Sequence, residues 1–457
     1  MKNLIFILLI CSANLVCAQI PNTISNEEKI YGLSKFWQEV NYNFVYLSKV
    51  DKQAWDSLYL ASIKEVQTTK NDYEYYRKLQ KFSAFLKDGH TNIILPKSIY
   101  DNIFNASFGD YKFKITNIEG KAIITGINDS KKNKIAIGSE ITKVNGIPTS
   151  QYIETYVKPY IATSTPHLLE DLSIQYMLEG YLGTAYTLEV KSPDGKTKNL
   201  ELTLGETKEE KMYPAEEKRE LLEFKWLDEK VAYLAFNSFS DWDIMDRFDE
   251  IQPELTKAEK LIIDLRYNGG GDSRVARELF KYLTKDTKMY GAKSQSRLHI
   301  PSYKAWGKYV NASDTLKNER MKQSYLTYQD AYFYTFPYEA YETSNLDITR
   351  IEVPTVLLIG HMTGSAAEDF LIYADNQENM TKIGEATYGS TGQPYVFDLP
   401  GGAFARVCTK KDTYANGKEF VGYGIQPDIE VKKTLADFME NIDPALQKAI
   451  AFLSNSN

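Results

Sequence analysis

The strongest chemical signal in the chain is a serine set between an apolar run and an amphipathic helix. Residues 353–375 read VPTVLLIGHMTGSAAEDFLIYAD, in which Val356 to Ile359 suit a buried strand, His361, Thr363 and Gly364 interrupt it, and Ser365 opens a helix. A hydroxyl on such a turn is a candidate nucleophile. The first helical amides have no intrahelical acceptor and can face an oxygen that gains negative charge during acyl transfer. The same residues, Ser365-Ala366-Ala367-Glu368, also spell a capping box, with the serine as N-cap and the glutamate three residues on. Local sequence leaves both readings open.

A base and an electrophilic cradle have to come from elsewhere. The chain has four histidines, His90, His167, His299 and His361. His90 lies in Asp88-Gly89-His90-Thr91, a turn between a helical segment and a strand starting at Asn92, from which an imidazole can reach a neighbouring cleft. The bland alternative is a hydrogen-bonded structural histidine. His167 and His299 sit in polar, loop-like contexts, and His361 is expected to face away from the serine. Gly269-Gly270-Gly271 comes three residues after the strand-like run Lys260 to Leu265, so bare amides stand just past the end of a buried strand. No Lys-Ser/Thr pair follows and no dinucleotide fingerprint is present, which favours an oxyanion cradle over a phosphate loop. No His or Cys spacing suits a metal, and no cofactor is expected.

The elements that must position these residues fall into blocks. Residues 1–18 combine Lys2, the apolar run Leu4 to Ile10 and Val16-Cys17-Ala18, and read as a secretory signal peptide; lipid attachment at Cys17 ranks second. Its removal would leave Cys408 as the sole cysteine and shift the formal charge from −7 to −8 through loss of Lys2. That balance, without a basic run, speaks against nucleic acid as a partner. No later stretch is apolar and long enough to span a membrane, so a secreted or periplasmic mature protein is expected. Residues 25–96 carry apolar and aromatic residues at spacings of three and four, predicting three or four helices. Residues 104–205 read as short strands and turns. Residues 215–457 alternate strand and helix, predicting a layered α/β unit whose last helix runs from Leu435 to Leu453. Within it, residues 285–350 are aromatic-rich and aperiodic, and read equally as a lid or as a packed excursion.

Taken in order, these motifs resemble the C-terminal processing peptidases, or tail-specific serine proteases, and within them the branch that includes the tricorn core protease. The carriers are Asp264-Leu265-Arg266-x-Asn268-x-Gly270-Gly271, Thr363-x-Ser365-Ala366-Ala367-Glu368, Thr387-Tyr388-Gly389 and Gly424-Ile425-x-Pro427-Asp428-Ile429. Gly138 to Gly146 similarly resembles the core of PDZ domains, which take up peptide ends at a sheet edge. The resemblance implies a crotonase-like (ClpP/crotonase) α/β catalytic domain with an N-terminal helical domain and an inserted PDZ-like β domain. It further implies Ser365 as nucleophile, with the amides of Ala366, Gly270 and Gly271 holding the oxyanion.

The pattern departs from the family at three places. Where processing peptidases carry a lysine base after Thr-Tyr-Gly, this chain has Ser390, and His90 occupies the position of the histidine base of the tricorn-like branch. Gly89 stands where that branch has an additional orienting serine. The expected acidic residue falls on Val421, leaving Glu419 as a weak third candidate beside the reading of a solvated loop charge. The expectation is a serine endopeptidase acting on a protein or peptide substrate held by the PDZ-like domain. The rival is a non-catalytic peptide- or apolar-ligand-binding protein on the same scaffold.

Overall fold

A computed structural model describes residues 20–215, 218–344, 348–375 and 377–455; the expected leader, residues 1–18, lies outside them. At its centre is a six-stranded sheet in the order Leu222–Trp226, Val231–Phe236, Lys260–Asp264, Thr355–Ile359, Met380–Gly384, Ile429–Glu430. The first pair is antiparallel and the remaining neighbours are parallel. Parallel strands need covering on both faces, and the period-2 alternation provides for it. Leu234, Phe236, Leu261, Ile263 and Leu357 face one apolar cluster. Tyr233, Ala235, Ile262, Val356 and Leu358 face another, closed by Ala445, Ala449 and Leu453 of the last helix, Pro444–Asn455.

The helix Ala366–Ala374 lies in the first cluster, anchored by Phe370, whose ring centroid is 5.0 Å from that of Phe280, 5.9 Å from Phe239 and 6.0 Å from Phe236. Three N-terminal helices, Asn26–Asn43, Lys52–Gln67 and Asp72–Ala84, begin at side-chain caps from Ser25, Asp51 and Asn71. Their Leu33, Phe36, Trp55, Tyr75, Tyr76 and Phe82 belong to the same apolar cluster as the sheet. The strand Asn92–Ile94 then pairs antiparallel with Phe404–Cys408, with Asn92 opposite Arg406. That pairing fixes the chain two residues after His90 to the C-terminal half of the molecule.

Residues 104–205 form a separate apolar cluster on an antiparallel sheet of seven strands, six from this stretch and the seventh, Met212–Tyr213, from beyond it. Two helices interrupt what reads as strand and turn in the sequence, Thr149–Tyr156 and Pro166–Gln175. The second begins after Thr165 with Pro166 at the first helical position, where a missing amide costs nothing. The closing helix expected over Leu435 to Leu453 is two helices, Leu435–Met439 and Pro444–Asn455. Pro444 has no amide to donate and starts the second, while Asn441, at φ 55°, turns the chain between them. Within the aromatic stretch, Lys293–Arg297 pairs with both Phe333–Thr335 and Lys411–Thr413, which ties that part of it to the rest of the structure.

Because Phe370 ties the helix behind Ser365 to three other rings, Phe370→Ala is expected to cost about 3–5 kcal/mol. Urea unfolding followed by tryptophan fluorescence measures it.

Candidate active site

Register decides where the glycine turn and the serine turn meet. Asp264 lies opposite Leu358 in neighbouring parallel strands, so the chain leaves both at one level. The two turns are then stitched together: the Thr363 hydroxyl donates to the Leu265 carbonyl at 2.8 Å, and the Gly364 amide to the Asn268 carbonyl at 3.0 Å. Asn268 folds back on its own turn, its Oδ1 accepting from the Gly270 amide at 2.9 Å.

Ser365 occupies φ 52°, ψ −122°, a backbone conformation that L-residues adopt only under compensation, at about 1–3 kcal/mol. The compensation is visible. The Ser365 amide donates to the Ser390 carbonyl and to Glu368 Oε2, both at 3.2 Å, and the Glu368 amide donates to the Ser365 carbonyl at 2.8 Å. The carboxylate arm of the capping box is therefore real. Ala366, the first helical residue, has no intrahelical acceptor for its amide.

Gly270 and Gly271 flank this turn with φ of 100° and 139°. A Cβ on Gly270 would stand 2.5 Å from Ser365 Cβ and 2.8 Å from the Ala366 nitrogen. The two glycines are not equivalent as donors. The Gly270 amide is committed to Asn268. Gly271 makes a parallel bridge with Phe239 through the Gly270 carbonyl and the Asp272 amide. In that pattern the amide of Gly271 itself points away from the bridge.

His90 Nδ1 lies 2.7 Å from Ser390 Oγ, a contact between residues 300 apart in sequence. Ser390 therefore touches both sequence-predicted partners, the nucleophile candidate through its carbonyl and the imidazole through its hydroxyl. A Cβ on Gly89 would stand 2.7 Å from Tyr388 Cε1 and 2.9 Å from its hydroxyl, with Ser390 Oγ next at 3.2 Å, so the Tyr388 ring chiefly fills the space beside residue 89. Burial, with Arg406 adding to it, pushes the His90 imidazole down to about 4, so it is neutral at pH 7. Arg406 reaches the Gly89 carbonyl at 3.2 Å and Asn92 Oδ1 at 2.9 Å, clamping the turn from below. Burial pushes the Asp88 carboxyl up to about 6.

Glu419 is placed differently. Its carboxylate pairs with Lys49 at 2.6 Å and with Lys411, and His90 makes its side-chain contact with Ser390 instead. The lysines of this region are engaged too: Lys410 with Asp412 at 3.0 Å, and Lys382 with Asp375 and Asp428 at 3.4 and 3.6 Å. Among the described residues no cluster of His, Cys, Asp or Glu is arranged to hold a metal.

Sequence reasoning missed the partners of the segment Glu385–Ser390. The Thr165 hydroxyl donates to the Tyr388 carbonyl at 3.0 Å, and His167 Nε2 lies 2.6 Å from the Thr387 carbonyl. His361, expected to face away, lies 2.6 Å from Asp171 through Nδ1, and its ring is tilted against that of His167 with centroids 4.5 Å apart. The helix Pro166–Gln175 thus grips the segment that carries Ser390. Only the Thr165-Pro166 helix start could have flagged it.

Residues 230–431 match the profile of Peptidase family S41. Among solved structures, mature CPAF complexed with lactacystin is similar at TM-score 0.68 and 15% identity, covering 94% of this chain and 99% of that one. A Parabacteroides merdae structure is similar at TM-score 0.52 and 18% identity, covering 94% of this chain and 96% of that one. At these identities the structural likeness is one of fold.

The contrast between neighbouring glycines is testable. Gly269 has nothing within 4 Å of an added Cβ, whereas Gly270 has the Ser365 turn. Gly270→Ala is expected to lose about 1–3 kcal/mol and Gly269→Ala no more than about 0.5 kcal/mol, read from urea midpoints.

Proposed function

We propose, from the premise that residues 230–431 belong to the serine peptidases of family S41, that this chain is an endopeptidase working through a Ser365 acyl-enzyme with His90 as general base. The observation that carries the reading is the shared contact at Ser390, whose carbonyl meets the Ser365 amide while its hydroxyl meets His90. In this reading His90 Nδ1–H donates to Ser390 Oγ, which sets the tautomer and leaves Nε2 to accept the serine proton. Ser365 Oγ attacks the scissile carbonyl and its proton passes to His90. The C–N bond then breaks as the imidazolium returns that proton to the departing amine, and water, deprotonated by the same imidazole, releases the acid.

Ala366 and Gly271 are the oxyanion donors in this scheme, with Gly270 providing the close approach rather than a hydrogen bond. Ser390 takes the part of the orienting serine that position 89 lacks. Glu419 is left as a structural ion-pair partner. The imidazole therefore works without a strong third acid, whose role is mainly orientation and charge stabilisation.

The wider architecture proposed is a crotonase-like catalytic core over 215–457, a helical segment over 25–96 that delivers the base, and a PDZ-like module over 104–205. Within that module Phe113–Ile118 pairs only with Lys121–Asn128 among the described strands, and an extended peptide substrate would add to its other edge. Residues 1–18 are proposed to direct the chain to the periplasm or the exterior.

A serine-directed fluorophosphonate probe tests the nucleophile: labelling of the wild type that disappears in Ser365→Ala is expected. An unlabelled wild type would turn the reading to a peptide- or apolar-ligand-binding protein on this scaffold. His90→Ala is expected to lower turnover of a quenched-fluorescence peptide library by about 10³–10⁴-fold with the melting temperature nearly unchanged. Near-normal turnover removes His90 from the mechanism.

A further inference from the structure

Glu368 has no exposed surface, yet no cation pairs with it among the described residues. A buried carboxylate without a counter-charge is costly unless its oxygens are saturated by donors, and here four converge. Oε1 accepts from the Thr387 hydroxyl and from the Gly389 amide at 2.7 Å. Oε2 accepts from the Ser390 amide at 3.1 Å and the Ser365 amide at 3.2 Å. The donors come from two segments, the nucleophile turn and the strap 387–390. Those are the segments whose relative placement decides whether Ser365 meets the imidazole bonded to Ser390. Four neutral donors aimed at two oxygens suit an ionised acceptor; a protonated carboxyl would have to withdraw from at least one of them.

We propose that Glu368 is a positioning residue, whose ionised carboxylate holds the Ser365 and Ser390 amides together and so sets the distance between nucleophile and base. This deepens, and rests on, the reading of Ser365 and His90 given above. Protonating Glu368 releases the strap, so the site loses competence on the acidic side before His90 itself takes up a proton. The two groups separate by pH: burial pushes Glu368 up to about 7, whereas His90 lies near 4. The titratable groups facing Glu368 from other elements are Tyr388 and Tyr414, and Asp369 follows it on its own helix. Both tyrosines are raised from their ordinary value by burial and stay neutral through this range.

The test is the pH dependence of fluorophosphonate labelling of Ser365, resolved into the maximal labelling rate and the probe concentration giving half of it. In the wild type the maximal rate should fall by half near pH 7. In Glu368→Gln it should drop at least 100-fold at pH 8, with half-saturation within threefold of wild type, and its remaining acid limb should move below pH 5. Glu368→Asp, which keeps the charge but not the reach, should recover part of the rate and regain an acid limb above pH 5. Thr387→Val, which removes a donor that favours the ionised form, should move the limb upward; circular dichroism establishes that each variant is folded.

A wild-type limb near 4, or a limb unmoved in the folded Gln and Val variants, overturns the proposal while leaving Ser365 and His90 in place. If Glu368→Gln does not fold, the wild-type limb and Thr387→Val decide. Absence of labelling in the wild type at every pH instead overturns the catalytic reading on which the proposal rests.

Discussion

Everything at the site depends on two parallel strands ending at the same height. With Asp264 opposite Leu358, and the Leu265 amide bonded to the Leu358 carbonyl at 2.9 Å, the glycine turn and the serine turn emerge side by side. They come so close that a single methyl group at residue 270 would overlap the serine. Hydrogen bonds at sheet spacing cannot stretch to relieve such a contact, so the sequence must relieve it instead. The relief is a residue without a side chain facing a residue in a strained conformation, each tolerable only because of the other.

The electrostatics of the cleft follow from which charges have found partners. Lysines 382, 410 and 411 are held in ion pairs, and Lys410 is pushed above its ordinary range by Asp412 and Asp369 acting against its burial. His90 makes no ion pair among the described residues; its side-chain contact is with Ser390, and burial keeps its imidazole neutral at pH 7. Stability links to pH through the same groups in opposite senses. His90 is depressed to about 4 in the fold, so its contribution is complete above the unfolded value of 6.5 and is lost as pH falls toward 4. Glu368 is raised to about 7, so its contribution is complete below 4.5 and is lost as pH rises through 7.

How much of this was legible in the sequence depends on the range over which each signal acts. The strands Lys260–Asp264 and Thr355–Ile359 and the helix after Ser365 follow from local periodicity, and the glycine run announced a close approach. The pairing of His90 with Ser390 did not, because no local pattern tells a turn at residue 89 which hydroxyl lies across from it. Only one of the two roles of Glu368 was visible. As a cap it is visible three residues from the serine, but its grip on residues 387–390 exists only after the strap has folded over the helix. Helix 166–175 was missed for another reason: its Thr-Pro start was present but outweighed by the surrounding strand composition. Glu419 looked available because sequence cannot show that Lys49 and Lys411 claim it first.

The three N-terminal helices share one apolar cluster with the central sheet, and the strand that follows His90 hydrogen-bonds to Phe404–Cys408. During synthesis the segment carrying the imidazole is made early and must wait for the last fifth of the chain before it has anything to pair with. Such long-range closure is slow compared with forming a helix or a hairpin. A ribosome-bound or truncated polypeptide lacking that final portion has a histidine but no assembled cleft.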